Sequence, residues 1–207
     1  MRQALTTMLR MQHRMNSRVH PQWITRDFAW HRAIWIECAE LVDHHGYKWW
    51  KQQEPDMAQV QLEVVDVWHF GMSARFRPAL ELPQLAAELE VELAAGAAAA
   101  PLPLLDAAER LAAIAAGERR FCAAAFQQLL RAAGLDMDAL YRQYLGKNVL
   151  NFFRQDHGYR EGTYRKDWGG REDNTHLLEL LPAIDVAAPD AEQRLYAALA
   201  ERFAASA

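Results

Sequence analysis

FAWHRAIWIECAELVDHH (28–45) and MAQVQLEVVDVWHFGMSARF (57–76) decide the fold class. Both stretches are apolar on nearly every side, and both are long enough for several helical turns. The Val64, Val65 and Val67 cluster offers a strand alternative. The length of the stretch and the three-residue spacing of Glu63, Asp66 and His69 select a helix instead. Helices so apolar belong in a core.

Outward from this pair, residues 1–18 carry Leu5, Met8, Leu9 and Met15 at helical spacing, with Gln12 and Asn16 four apart on the adjoining face. Pro21 interrupts that first helix. Residues 81–134 are dominated by alanine and leucine and should form two or three helices, with Pro101 and Pro103 as breakers, Asp106 as an N-cap and Gly134 as a stop. This segment reads as a helical insertion or a mobile subdomain within one domain spanning 1–207. Asp136 should cap a helix running to about His157, ended by Gly158. GYREGTYRKDWGGREDN (158–174) should be an ordered, irregular loop, and a last helix starts at Asp190. No strand pattern of any strength is present, so the expected class is all-α: a helical bundle with an alanine-rich insertion.

Composition narrows the function. With 23 basic and 27 acidic residues the formal charge is -4, which lacks the broad cationic footprint that nucleic-acid polymers or anionic membranes require. Two cysteines, Cys38 and Cys122, supply neither a disulfide framework nor a cysteine-rich zinc site and suit a reducing, cytoplasmic setting. Cys38 is most simply a small core residue. The N-terminal stretch lacks the apolar run of a signal peptide, and no stretch is apolar enough to span a membrane.

The chemistry lies in the acids set into the two apolar helices. Glu37 and Glu40 are three residues apart, as are Glu63 and Asp66, so each pair projects from one side of its helix, about 60° apart around the axis. Two such helices face to face bring four carboxylates together. No Lys or Arg stands four residues after any of them, which disfavours surface ion pairs within each helix. Clustered carboxylates repel and need positive charge. A divalent metal supplies it, and all-oxygen ligands select hard ions, Mg²⁺ or Mn²⁺, completed by substrate phosphates. The alternative is a structural ion-pair network with arginines from elsewhere.

A second polar stripe has what a phosphate-bearing ligand needs. Lys147, Asn151 and Arg154 stand at i, i+4 and i+7, against the alternative of an exposed polar face. Tyr159, Tyr164, Lys166 and Trp168 among glycines are unusual residues for an idle loop.

AIWIECAELVDHHGYKWWK (33–51), LEVVDVWHF (62–70) and above all GKNVLNFFRQDHGYREGTYRKDWGGREDN (146–174) resemble the dimeric, all-α dUTPases of the helical NTP-pyrophosphatase superfamily, with a shorter likeness at MLRMQHRMN (8–16). The resemblance implies an Mg²⁺-dependent dUTP diphosphatase, a homodimer converting dUTP and dUDP to dUMP through metal-activated water. It implies Glu37, Glu40, Glu63 and Asp66 as metal ligands, with one of the first pair, Glu40 in preference to Glu37, also orienting or deprotonating the water. Lys147, Arg154, Tyr159 and Lys166 match phosphate-handling positions. Gln12, Asn16, Trp49 and His69 match positions enclosing uracil and sugar, completed by Asn151 and Asn174. For Trp49 the bland alternative is core packing beside Trp50, and for His69 a satisfied core histidine. Two rival functions stand beside this reading: a related pyrophosphohydrolase with another base preference, and a non-catalytic nucleotide sensor.

Overall fold

The computed structural model describes residues 1–206, and among these there are nine α-helices and no strand beyond an isolated bridge between Asp167 and Glu172. The all-α expectation holds. The chain divides into two compact units, Met1–Leu140 and Tyr141–Ala207. No helix among the described residues is long and apolar enough to cross a membrane.

In the first unit, α1 (Arg2–Val19) buries Leu5, Met8, Leu9, Met11 and Met15, the stripe its periodicity demands. It stops at His20, whose extended backbone is the conformation that a following proline imposes. A 3₁₀ turn, Trp23–Thr25, leads to α2 (Trp30–His45) and α3 (Met57–Ser73). The Asp56 side chain caps α3 by accepting the Gln59 N–H at 3.1 Å.

The segment between Pro78 and Gly134 forms three helices, α4 (Leu82–Ala98), α5 (Leu104–Glu118) and α6 (Ala123–Ala132). α2 packs on both α3 and α5, α4 lies on α1 and α6, and α5 also meets α6. α4 and α6 approach so closely that a Cβ on Gly96 would lie 2.2 Å from the Ala124 carbonyl oxygen, so only glycine fits. Asp106 is not the N-cap of α5. The helix starts directly after Pro103, whose extended backbone suits the preceding position, and Asp106 sits in the first turn, where its charge meets the positive end of the helix dipole.

The two apolar helices differ in burial. α3 is largely enclosed from Val60 onward, whereas α2 buries only Ile34, Cys38 and Leu41 and leaves Trp35 and Ile36 exposed at 39% and 41%. The expectation of a core helix therefore holds for α3 and for one side of α2. The reason is that the main neighbours of α2, α3 and α5, cover that one side.

α7 (Met137–Asp156) starts behind its cap, Asp136, which accepts the Ala139 N–H at 2.8 Å, and from Tyr141 onward it belongs to the second unit. Gly158, at φ +89°, turns the chain out of it. α8 (Asp173–Leu180), which begins within the stretch 158–174 expected as a loop, and α9 (Ala191–Ala205), starting behind Asp190 as expected, complete the unit. Its core is aromatic: Phe153 meets Trp168, Tyr196 and Phe203 with ring centroids 5.3–5.6 Å apart.

Candidate active site

Glu37 projects from α2, and Glu63 and Asp66 from α3, and one carboxylate oxygen from each lies within 4.8 Å of the others. Glu63 is buried, and the other two are half-buried. Burial first, and then the charges of Asp66 and Glu63, push the Glu37 carboxyl up to about 9, so at neutral pH it keeps its proton and shares it with Glu63 by a hydrogen bond. The packing of α2 on α3 thus gathers three of the four carboxylates that the paired spacings led one to expect. Glu40, the fourth acid of the expected set, is exposed and stands outside these three, although its charge still adds to the pressure on Glu37. His44, not among the expected site residues, lies beside the cluster with its Nε2 3.5 Å from a Glu63 oxygen.

Gln12 and Asn16 from α1 meet His69 from α3 in a buried polar group. Gln12 Nε2 donates to Asn16 Oδ1 at 2.9 Å, and Gln12 Oε1 is 2.8 Å from His69 Nδ1. Asn16 Nδ2 donates to Ser73 Oγ at 2.9 Å. Ser73 was not among the expected residues, and its only signal is that it follows His69 by one helical turn, as Asn16 follows Gln12. Trp49 lies apart from this group, 90% exposed and edge-on to Trp50. That excludes core packing as its role.

In the second unit, Lys147 and Arg154 are buried rather than displayed on a solvent face. Lys147 Nζ donates to Asn174 Oδ1 at 3.1 Å, and Arg154 Nη1 donates to Asn151 Oδ1 at 3.2 Å. The guanidinium also grips Asp173 through two hydrogen bonds of 2.9 and 2.8 Å and lies over the Tyr159 ring. Asp173 is fully buried and takes a further hydrogen bond from the Tyr164 hydroxyl at 2.8 Å. Burial alone would raise its carboxyl, but the hydrogen bonds and charge of Arg154, with Tyr164 and Lys147, hold it below the usual range. Asp173 was not among the expected site residues, because its partner Arg154 stands on another helix, 19 residues earlier.

The loop between α7 and α8 is ordered by its aromatic residues. Trp168 is buried against Phe153, Phe203 and His176, and Tyr164 stacks on Phe203. Arg165 ties the loop to the end of α9 by donating to the Ser206 carbonyl at 2.9 Å. Lys166 is exposed, unlike the buried Lys147 and Arg154.

A model of the dUTPase family matches residues 4–159, well over half of the 207 residues. The chain belongs to the all-α dUTPase family. No curated protein matches it. As a family member it is a hydrolase of dUTP diphosphatase activity with a nucleotide substrate, which decides against the sensor reading. The matched stretch includes Gln12, Asn16, the four acids, Trp49, His69, Lys147, Asn151, Arg154 and Tyr159, and it ends before Lys166, Asp173 and Asn174.

Proposed function

We propose that this dUTPase-family enzyme hydrolyses dUTP and dUDP to dUMP with Mg²⁺, replaceable by Mn²⁺, held by Glu37, Glu40, Glu63 and Asp66. The observation that carries the proposal is the set of three carboxylates within 4.8 Å on two packed helices, one of which keeps a proton that a cation would displace. The donor set is all oxygen and fits a hard ion. Bound there, Mg²⁺ supplies a Lewis acid for phosphate oxygens and lowers the pKa of water.

The side chains do the rest. Glu40, solvent-exposed one turn beyond Glu37, takes the proton of the attacking water on its carboxylate. Arg154 and Lys147, with Tyr159 and Lys166, receive the negative charge of the phosphates, and Asn151 and Asn174 orient the two buried cations through the hydrogen bonds they already make. Gln12, Asn16 and His69 enclose the uracil. The base presents one N–H between two carbonyls, a pattern that side-chain amides complement and that cytosine would leave unpaired. Trp49, exposed in the loop after α2, covers the nucleotide.

The enzyme acts as a homodimer, a reading supported by the family resemblance and by the exposed Trp35 and Ile36 of α2. Its free cysteines, Cys38 and Cys122, fit the reducing cytoplasm. The deciding experiment is release of dUMP from dUTP and dUDP with and without Mg²⁺, with dCTP, dTTP and UTP beside them. Mg²⁺-dependent turnover of dUTP and dUDP alone is the expected result. Turnover without any divalent ion, or equal turnover of dCTP, overturns the metal or the base assignment respectively.

A further inference from the structure

Four buried side chains, two from α1 and two from α3, form a hydrogen-bonded relay whose polarity is set at one end. The His69 carbonyl can only accept, so the single Ser73 hydroxyl proton is used there, at 2.8 Å. Ser73 Oγ then has only lone pairs to offer Asn16, which must present Nδ2 to it, at 2.9 Å. The other end of that amide, Oδ1, is left to accept from Gln12 Nε2, also at 2.9 Å. Gln12 is thereby turned with Oε1 toward His69, and an oxygen that only accepts, 2.8 Å from Nδ1, requires the imidazole proton on Nδ1.

We propose that Ser73 is a positioning residue that sets the amide orientations of Asn16 and Gln12 and the Nδ1–H form of His69, and through them the preference for uracil over cytosine. The last step rests on the proposed reading that Gln12, Asn16 and His69 enclose the base. Turning an amide by 180° exchanges its donor with its acceptor. The pairing edges of uracil and cytosine differ by just such an exchange, a ring N–H and a carbonyl in one against a ring nitrogen and an amino group in the other. A device that forbids the turn is therefore a device for selecting the base. Ser73 is suited to it because a hydroxyl on the last turn of α3 bonds the carbonyl four residues back, which leaves its oxygen no proton for Asn16.

The test uses the full chain and two readouts. The ¹⁵N shifts of the His69 ring in the metal-free protein report its tautomer, and kcat/KM for dUTP and dCTP in the presence of Mg²⁺ reports selectivity. Wild type should show the proton on Nδ1. Ser73→Ala should mix the tautomers and lower the dUTP-to-dCTP ratio of kcat/KM about tenfold or more, a larger change than in kcat for dUTP. Ser73→Thr, whose hydroxyl reaches the same carbonyl, should keep both properties. A wild-type protein protonated on Nε2 alone overturns the relay polarity, whether or not Ser73→Ala folds. Ser73→Ala with mixed tautomers but unchanged selectivity overturns the link to the base. A wild type with the Nδ1 proton that turns over no dUTP supports the relay and overturns the functional reading on which the selectivity step rests.

Discussion

Arg154 and Asp173, 19 residues apart, form a two-pronged buried pair in which Nε donates to Oδ2 at 2.9 Å and Nη2 to Oδ1 at 2.8 Å. The carboxylate thereby holds in place the guanidinium proposed to receive phosphate. Removing one partner strands the other as a buried charge. Asp173→Ala should cost about 3–5 kcal/mol in urea unfolding, and it should raise KM for dUTP in whatever fraction still folds. An unchanged midpoint and KM would remove Asp173 from this role. The pair also has a pH signature. The Asp173 carboxyl is held below its ordinary value of 3.8, so its stabilisation is present above that pH and is lost as pH falls through the depressed folded value. The stability gap between wild type and Asp173→Asn should therefore be constant at neutral pH and close only in strong acid.

Glu37 behaves in the opposite sense. With its folded pKa raised to about 9 from 4.5, it binds a proton more tightly in the folded chain than in the unfolded one, so metal-free stability should fall as pH rises between those values. Mg²⁺ binding at neutral pH should expel that proton, making the apparent affinity rise by about tenfold per pH unit toward pH 9. Calorimetry in two buffers of different ionisation heat measures the release directly. Glu37→Gln should abolish it; a wild type that binds Mg²⁺ without releasing a proton would contradict the cluster's electrostatics.

The two remaining roles among the acids separate by measurement. Glu40→Gln should lower kcat by about 10²–10⁴-fold, as loss of a proton acceptor would, and should weaken Mg²⁺ binding less than Glu63→Gln does, because Glu40 stands outside the three gathered carboxylates. Glu63→Gln should weaken Mg²⁺ binding as well as turnover. Both proteins should keep the wild-type circular dichroism. Full activity in both variants would end the proposed mechanism.

Two glycines in the first unit should respond in opposite directions to the same change. Gly96→Ala places a methyl 2.2 Å from the Ala124 carbonyl oxygen, where backbone must shift, and overpacking of this kind costs about 1–3 kcal/mol. A Cβ at Gly117 on α5 meets nothing within 4 Å, and alanine there should stabilise by up to about 1 kcal/mol through helix propensity. Thermal unfolding of the two variants checks both signs.

Trp49, at 90% exposure, contributes little to the fold. Trp49→Ala should leave Tm within a degree or two of wild type and raise KM for dUTP. A large fall in Tm, or an unchanged KM, would count against its role over the nucleotide.

Much of this was legible along the chain because helical spacing translates directly into which residues share a face. The stripe of α1, the acids paired three apart, the Asp136 cap and the Gly158 exit all follow from local geometry. Asp106 misled because proline context starts α5 earlier than an acidic cap would, and α8 was hidden behind a glycine-rich run. Burial of Lys147 and Arg154 was invisible for a different reason: a cation at helical spacing looks alike on a solvent face and in a paired interior.

The sequence by itself determined an all-α chain, the family, and the two pairs of acids on two apolar helices, since these depend on residue type and on spacing within one segment. Only the tertiary structure decided that Glu37, Glu63 and Asp66 gather while Glu40 stays exposed, that Arg154 is held by Asp173, and that Ser73 closes the relay from Gln12. Those relations join residues on different elements. They are set by which helix faces pack together and by which buried polar atoms must then find partners, and neither is written in the spacing of any one segment.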